Sequence, residues 1–215
     1  MPAPQRGEVP APADLVRPDR AWFARDSVEL GPRLLGAVLA HETDEGRVAV
    51  RLSEVEAYRG VGEDPGSHGF RGMTARNAVM FGEGGHLYAY FTYGMHVCIN
   101  VVAGWEGRSA GVLLRGGVVV EGVELARSRR PRSSERDLAR GPARLAQALG
   151  VPLTRNGADL LAPPFDLRVP VEPLAHDTGP RTGISGPGGA DAYPWRFWLP
   201  GDPGVSVYRR HPRSH

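Results

Sequence analysis

Apolar and polar positions along the chain fall into strand hairpins with scattered helices between them. Strands are predicted over 37–41 and 47–58, and the polar stretch Glu42-Thr43-Asp44-Glu45-Gly46 between them reads as a hairpin turn. A second hairpin is predicted from 86–92 and 95–103, with Tyr93-Gly94 at its tip, followed by a strand over 110–115. Short strands at 196–199 and 205–208 close the pattern. Helical spacing covers 21–35, with Trp22, Phe23, Val28 and Leu34-Leu35, although Gly31-Pro32 should break or kink that helix. Two more helices are predicted over 121–129 and 142–149, the second stopped by Gly150. Residues 59–85 and 151–195 show little apolar pattern and read as loops. Loops as long as the first, in compact domains, are often functional. Together these elements predict an α+β fold. It is a single domain with a mostly antiparallel β-sheet, a protruding β-hairpin and surrounding helices.

Composition narrows the picture. The 215 residues suit one domain with its own core. Residues 1–18 are Pro-rich and without periodicity, and read as a disordered leader. The folded domain is expected over 19–208, with a basic tail at 209–215. The chain has no lysine, so all 26 basic residues are arginine and no lysine amine can form a Schiff base. The net charge is only +2, so any nucleic-acid surface has to come from local clustering of arginine. Cys98 is the only cysteine, which rules out an intramolecular disulfide and a cysteine metal cage. Within the apolar run Val97-Cys98-Ile99 it reads as a core residue. No stretch reaches the roughly 18 apolar residues of a membrane span. The first residues also lack the apolar core of a signal peptide, so a cytoplasmic protein is expected.

The segment Ser53-Glu54-Val55-Glu56-Ala57-Tyr58 carries two carboxylates. Strand alternation puts Glu54, Glu56 and Tyr58 on one face and turns Val55 and Ala57 toward an apolar core. Such a face could form a catalytic wall, but from these six residues alone it reads first as a solvated polar surface. The following loop offers Asp64, His68, Arg71 and Arg76-Asn77. Asp64 and His68 lack the spacing of a common metal motif, so no metal is expected, and His68 reads equally well as a surface histidine. In His86-Leu87-Tyr88-Ala89-Tyr90-Phe91-Thr92-Tyr93-Gly94-Met95, Tyr88 and Tyr90 share a face and Tyr93 falls at the tight turn. Aromatic strand residues are usually core or cross-strand pairs. A tyrosine projecting from a hairpin tip instead fits a wedge that enters a base stack and fills the space of a flipped nucleotide. The flipped base then needs aromatic faces, which Tyr58, His68 and Tyr90 can provide.

Six segments carry a resemblance. They are Glu54-Val55-Glu56-Ala57-Tyr58; Ser67-His68 with Thr74-Ala75-Arg76-Asn77 and Met80-Phe81; the run from Tyr88 to Asn100; Gly111-Val112-Leu113-Leu114-Arg115; Gly141-Pro142-Ala143-Arg144-Leu145; and Pro180-Arg181-Thr182-Gly183-Ile184. In this order, from about residue 20 to 208, the chain closely resembles the alkyladenine (3-methyladenine) DNA glycosylase family in its bacterial form. The resemblance implies a single α+β domain whose hairpin enters the minor groove of duplex DNA containing damaged purines. It implies Glu56 as the general base that activates water and Arg115 as its charged neighbour. It implies a base pocket of Tyr58, His68, Tyr90, Asn100 and Ile184, with Asn100 screening purines by their exocyclic amino group. On the DNA it implies Tyr93 as the wedge, with Met95, Tyr88, Arg76 and Arg144. It implies a monomer without cofactor, releasing 3-methyladenine, 7-methylguanine or hypoxanthine without cutting the strand. Strand-cutting glycosylases use an amine, and the missing lysine agrees. Against the family pattern, Val55 stands for a usual threonine and Gly66 for a usual alanine, Gly116-Gly117 follows Arg115 where a longer side chain and an acidic-proline pair are usual nearby, and Gly82-Glu83-Gly84 lacks a usual proline.

A catalytically silent module for damaged DNA is the alternative, and the intact Glu56 and Arg115 argue against it. A small-molecule or formyl-transfer-like domain leaves the tip tyrosine unexplained. A metal-dependent nuclease lacks its carboxylate cluster.

Overall fold

The computed structural model describes residues 14–92 and 94–215. Among these residues nine strands form one antiparallel sheet: β1 (Leu15–Val16), β2 (Val38–Thr43), β3 (Gly46–Tyr58), β4 (Leu87–Thr92), β5 (His96–Val102), β6 (Gly111–Glu121), β7 (Phe165–Pro170), β8 (Asp177–Gly179) and β9 (Arg196–Trp198). The main order is β1-β7-β2-β3-β6-β5-β4, and β8 pairs with β9, which pairs with β3. Three helices accompany it: α1 (Ser27–Arg33), α2 (Val123–Arg129) and α3 (Pro142–Leu149). The α+β class expected from the hairpin pattern is the class observed.

β3 is the centre of the molecule. Its first half pairs with β2, its second half with β9, and nearly its whole length with β6. A strand hydrogen-bonded on both edges and covered on both faces is buried throughout, and β3 is buried without a break from Val48 to Ala57. Its alternation changes phase on the way. Val48, Val50 and Leu52 face the core, and then Val55 and Ala57 do. The pairing with β6 explains the switch. Leu52 pairs with Gly117 and Glu54 with Gly116, which leaves Ser53 as an extra residue. One extra residue in a strand is a β-bulge, and it turns the following side chains to the opposite face. A reciprocal bulge follows on β6: Glu54 pairs with Gly116 and Val55 with Leu114, so Arg115 is the extra residue there.

Two glycines make this irregular junction possible. A Cβ on Gly116 would stand 2.5 Å from the carbonyl oxygen of Gly204, and one on Gly117 would stand 2.4 Å from that of Arg51. The backbone of residues 202–204 therefore lies directly against β6.

The helices pack on the sheet, α1 against β3 and α3 against β5 and β6. The predicted helix over 21–35 is divided. A 3-10 turn at Arg20–Phe23 comes first, and Asp26 then caps α1 by accepting from the Val28 amide at 2.8 Å. Pro32 falls in the last turn, and α1 ends at Arg33. Gly150 stops α3 with φ 68°, as expected of a C-terminal glycine.

Three expectations need correction. The predicted loop over 151–195 contains β7 and β8. The predicted strand over 205–208 does not form: the Val205 amide turns back to the Asp202 carbonyl, and further backbone groups are taken by side chains. The Ser206 amide donates to Glu54, and the Val205 carbonyl accepts from Arg140 Nε. Residues 15 and 16, assigned to the leader, form β1 against β7, while 1–13 lie outside the described residues. The basic tail is docked: the Arg209 and Arg213 carbonyls accept from the Gly183 and Gly186 amides.

Candidate active site

The bulge on β6 aims Arg115 at both glutamates of β3. Arg115 Nε lies 3.0 Å from Glu54 Oε1 and 3.4 Å from Glu56 Oε1. Glu54 also accepts from Arg196 Nε at 2.6 Å and from the Ser206 amide at 2.7 Å. Glu54 and Glu56 are fully buried, so this face of β3 is no solvated surface. Burial opposes the charge on Arg115, but Glu56 and Glu54 outweigh it and raise its pKa.

Glu56 is held from three sides. Besides Arg115, Oε1 accepts from the Thr182 amide at 2.7 Å, and Oε2 accepts from the Tyr58 hydroxyl at 3.0 Å. Tyr58, two residues along the same face, is thus a donor to the carboxylate and also part of a cleft wall. Burial first, and then the Glu56 charge, push the Tyr58 pKa well up, so the phenol keeps its proton.

The cleft opens beside the Tyr58 ring. Tyr58, His68, Tyr88 and Tyr90 give it aromatic walls, and Met80, Asn100, Ile184 and Gly66 complete the lining. Tyr88 and Tyr90 stack at 5.6 Å between ring centres, and His68 meets Tyr90 edge-on at 4.6 Å. His68 Nδ1 and the Tyr88 hydroxyl are 3.0 Å apart. Burial, with Arg76 second, lowers the His68 pKa, which favours a neutral imidazole. Asn100 is buried at the floor and donates to the Tyr88 carbonyl at 3.1 Å.

The loop of residues 59–85 is organised by two buried side chains. Asn77 donates to the His68 and Gly72 carbonyls and accepts from the Thr74 amide. Asp64 meets Arg181 in a bidentate pair, 2.6 Å at each oxygen, with both side chains sealed from solvent. Its oxygens also accept from the Arg59 and Gly66 amides. Four donors leave this carboxylate committed to the loop. Among the described residues, no group of three His, Cys, Asp or Glu side chains is arranged to hold a metal.

The five residues expected in the base pocket, Tyr58, His68, Tyr90, Asn100 and Ile184, all line one cleft. Tyr88, expected on the DNA, is buried in the same wall instead of on the surface. Arg76 is exposed at the cleft mouth, donates to the Phe91 carbonyl and lies 5.8 Å from the Tyr90 ring centre. Met95 is exposed beside the hairpin tip, and Phe91 is also exposed there; Tyr93 lies outside the described residues. Arg144 stands on α3, outside the cleft lining, 3.6 Å from Asp137. Sequence reasoning passed over Thr182, Arg181 and Arg196 as site residues. The only signal for the first two was their place in the Pro180-Arg181-Thr182-Gly183-Ile184 segment.

Comparison with known proteins agrees with this architecture. Residues 21–203 match the family model described as Methylpurine-DNA glycosylase (MPG). A protein of Leifsonia xyli subsp. xyli named "Putative 3-methyladenine DNA glycosylase" is 60% identical over 206 residues, 94% of this chain and 97% of its own. Proteins of the same name from Streptomyces avermitilis and Nocardia farcinica are 52% and 50% identical. The first of these matches covers 89% of this chain and 92% of its own; the second covers 85% and 87%. A buried carboxylate behind an aromatic cleft, together with these matches, defines a DNA glycosylase, a hydrolase of base-excision repair. The chain belongs to the methylpurine-DNA glycosylase family. Among the described residues no helix is long and apolar enough to cross a membrane.

Proposed function

We propose that the protein takes alkylated or deaminated purines, namely 3-methyladenine, 7-methylguanine and hypoxanthine, flipped from duplex DNA into the aromatic cleft. It hydrolyses their bond to the deoxyribose. The observation that carries this is the Tyr58 hydroxyl on Glu56 Oε2, which sets a carboxylate one hydrogen bond behind the cleft wall. A water held at that carboxylate attacks the sugar C1′. Its proton passes to Glu56, the C1′–N bond breaks, and the bonding pair leaves with the base. As the bond breaks the sugar becomes positive, and the carboxylate stabilises that charge. An N3- or N7-alkylated purine is already cationic and leaves as a neutral base without further help. Hypoxanthine needs a hydrogen bond to its leaving group.

Selectivity has two sources. A damaged pair is easier to open. The tyrosine faces then favour a cationic base, by about 0.5–2 kcal/mol of cation–π attraction. Asn100, at the cleft floor, screens out guanine by crowding its exocyclic amine. Exposed Met95 and Arg76, together with Tyr93 and with Arg144 on α3, contact the duplex, and one monomer serves one lesion. The protein works in the cytoplasm, on the nucleoid DNA.

Base release from a methylated duplex and a hypoxanthine duplex tests this, with Glu56→Gln alongside. Release that depends on Glu56 and leaves the strand uncut until alkali is added is the expected result. Covalent trapping of the protein by borohydride would overturn the hydrolytic, lyase-free mechanism.

A further inference from the structure

We propose that Asp64 and Arg181 form a positioning pair that holds the Glu56 carboxylate and the aromatic wall in one fixed relation. The inference rests on the glycosylase reading of Glu56 above.

Arg181 reaches four parts of the molecule at once. Its two terminal nitrogens grip Asp64, while Nη1 also donates to the Ala57 carbonyl at 3.0 Å and Nη2 to the Gly188 carbonyl at 2.7 Å. Ala57 is the residue between Glu56 and Tyr58. The guanidinium lies 4.5 Å from the centre of the Tyr58 ring. The residue following Arg181 is Thr182, whose amide is the 2.7 Å donor to Glu56. Asp64, in turn, fixes the Gly66 amide at 2.9 Å, and Gly66 is part of the cleft lining. A single ion pair thus fixes the donor to the carboxylate, the ring of the wall and the backbone of the lining.

Stability alone is a poor reason for such a pair. Taking both charges out of water is costly, and apolar residues of equal volume often do as well. What apolar residues cannot supply is direction. The planar guanidinium fork fixes angles as well as distances, whereas a lysine ammonium fixes one point. Arg181→Lys therefore keeps the charge and loses the geometry.

The buried pair Arg51–Asp202, 2.7 Å apart and away from the cleft lining, supplies the control. Single-turnover base release and duplex affinity are measured for wild type, Arg181→Lys, Asp64→Asn, Arg51→Lys and Glu56→Gln, with the melting temperature of each. Displacement of reacting groups by about 1 Å costs roughly 10²-fold in rate, so a loss of that order is expected for Arg181→Lys and Asp64→Asn. Affinity for undamaged duplex should stay within about twofold, since no backbone contact to the duplex is altered. Arg51→Lys should lower the melting temperature and leave release unchanged. If the cleft variants release base as fast as Arg51→Lys, the pair is structural only and the proposal falls. If Arg181→Lys does not fold, Asp64→Asn decides on the same terms. A wild type that releases no base, or releases it equally as Glu56→Gln, overturns the Glu56 reading and this one with it. An inert Glu56→Gln beside fully active pair variants overturns this one alone.

Discussion

Arg115 and Glu54 are joined by a 3.0 Å contact at a point where β6 carries one residue more than β3. The same guanidinium reaches Glu56 at 3.4 Å. Glu54 is therefore the anchor of the cluster, and Arg115 is held between two carboxylates. Glu54→Ala leaves Arg115 and Arg196 buried without their shared partner. It should cost about 3–5 kcal/mol, the usual loss when one member of a buried ionic group is removed. Urea denaturation checks this. A loss below about 1 kcal/mol, typical of exposed pairs, would show that the cluster is solvated.

Tyr58 separates two tasks in one side chain. Tyr58→Phe keeps the wall and deletes the donor to Glu56. Stability should fall by about 1–3 kcal/mol, because a buried acceptor loses its partner. Affinity for a lesion duplex should stay near that of the wild type. Tyr58→Ala also removes the ring and should weaken lesion binding by about 1–3 kcal/mol, the worth of one stacked base. Equal binding by both variants would mean that no base stacks on Tyr58.

Asn100→Ser opens space at the cleft floor and should raise release of undamaged guanine above that of the wild type. The measurement is free guanine from unmodified duplex. An unchanged yield removes Asn100 from the screening role.

His41 stacks on Phe165 with ring centres 4.5 Å apart, and its Nε2 has no hydrogen-bond partner among the described residues. Burial lowers its pKa, although the bond to the Leu149 carbonyl works the other way. The unfolded chain therefore takes up the proton first as pH falls. The full stability is present above the unfolded value of about 6.5 and declines below it until the folded form also protonates. His68 carries the same sign. Melting temperature should fall from pH 7.5 toward 5, and His41→Phe should flatten that slope. An identical slope would assign the acid loss to other groups.

Burial pushes the Cys98 thiol up to about 11, even though its bond with Tyr90 works the other way. A neutral, buried thiol is a poor nucleophile. Iodoacetamide should leave the folded protein unlabelled at neutral pH and label it fully in urea, read by mass spectrometry. Rapid labelling of the folded chain would mean that the hairpin opens.

The legible parts of the fold were those whose pattern is local. The β2–β3 hairpin was readable from its polar turn, and α3 from Pro142 and Gly150. Tyr58, His68 and Tyr90 were legible as possible aromatic faces from the tyrosine hairpin and its neighbours, whereas Glu56 stood out only through the family resemblance, because strand alternation alone fits a solvated face equally. What stayed hidden depends on partners far along the chain. Glu54 meets Arg196 across 142 residues, and Asp64 meets Arg181 across 117. Short strands such as Asp177–Gly179 carry too few residues for alternation to register, and residues 205–208 carry a strand-like pattern that Glu54 and Arg140 redirect. The glycines at 116 and 117 stood out only as departures from the family. Their reason, the close approach of Gly204 and Arg51, lies in the tertiary structure.

The order in which the chain is made gives the central strand a further property. β3 emerges early with Glu54 and Glu56, while Thr182, Arg196 and Ser206 lie 126, 142 and 152 residues further on. Until those residues arrive, Glu54 lacks two of its three donors and Glu56 one of its three, and both resist being dried. A chain cut short before this point would have to bury uncompensated charge to close its sheet. The charge of the central strand is thus balanced only once the chain has been made past Arg196, and its last amide donor arrives with Ser206.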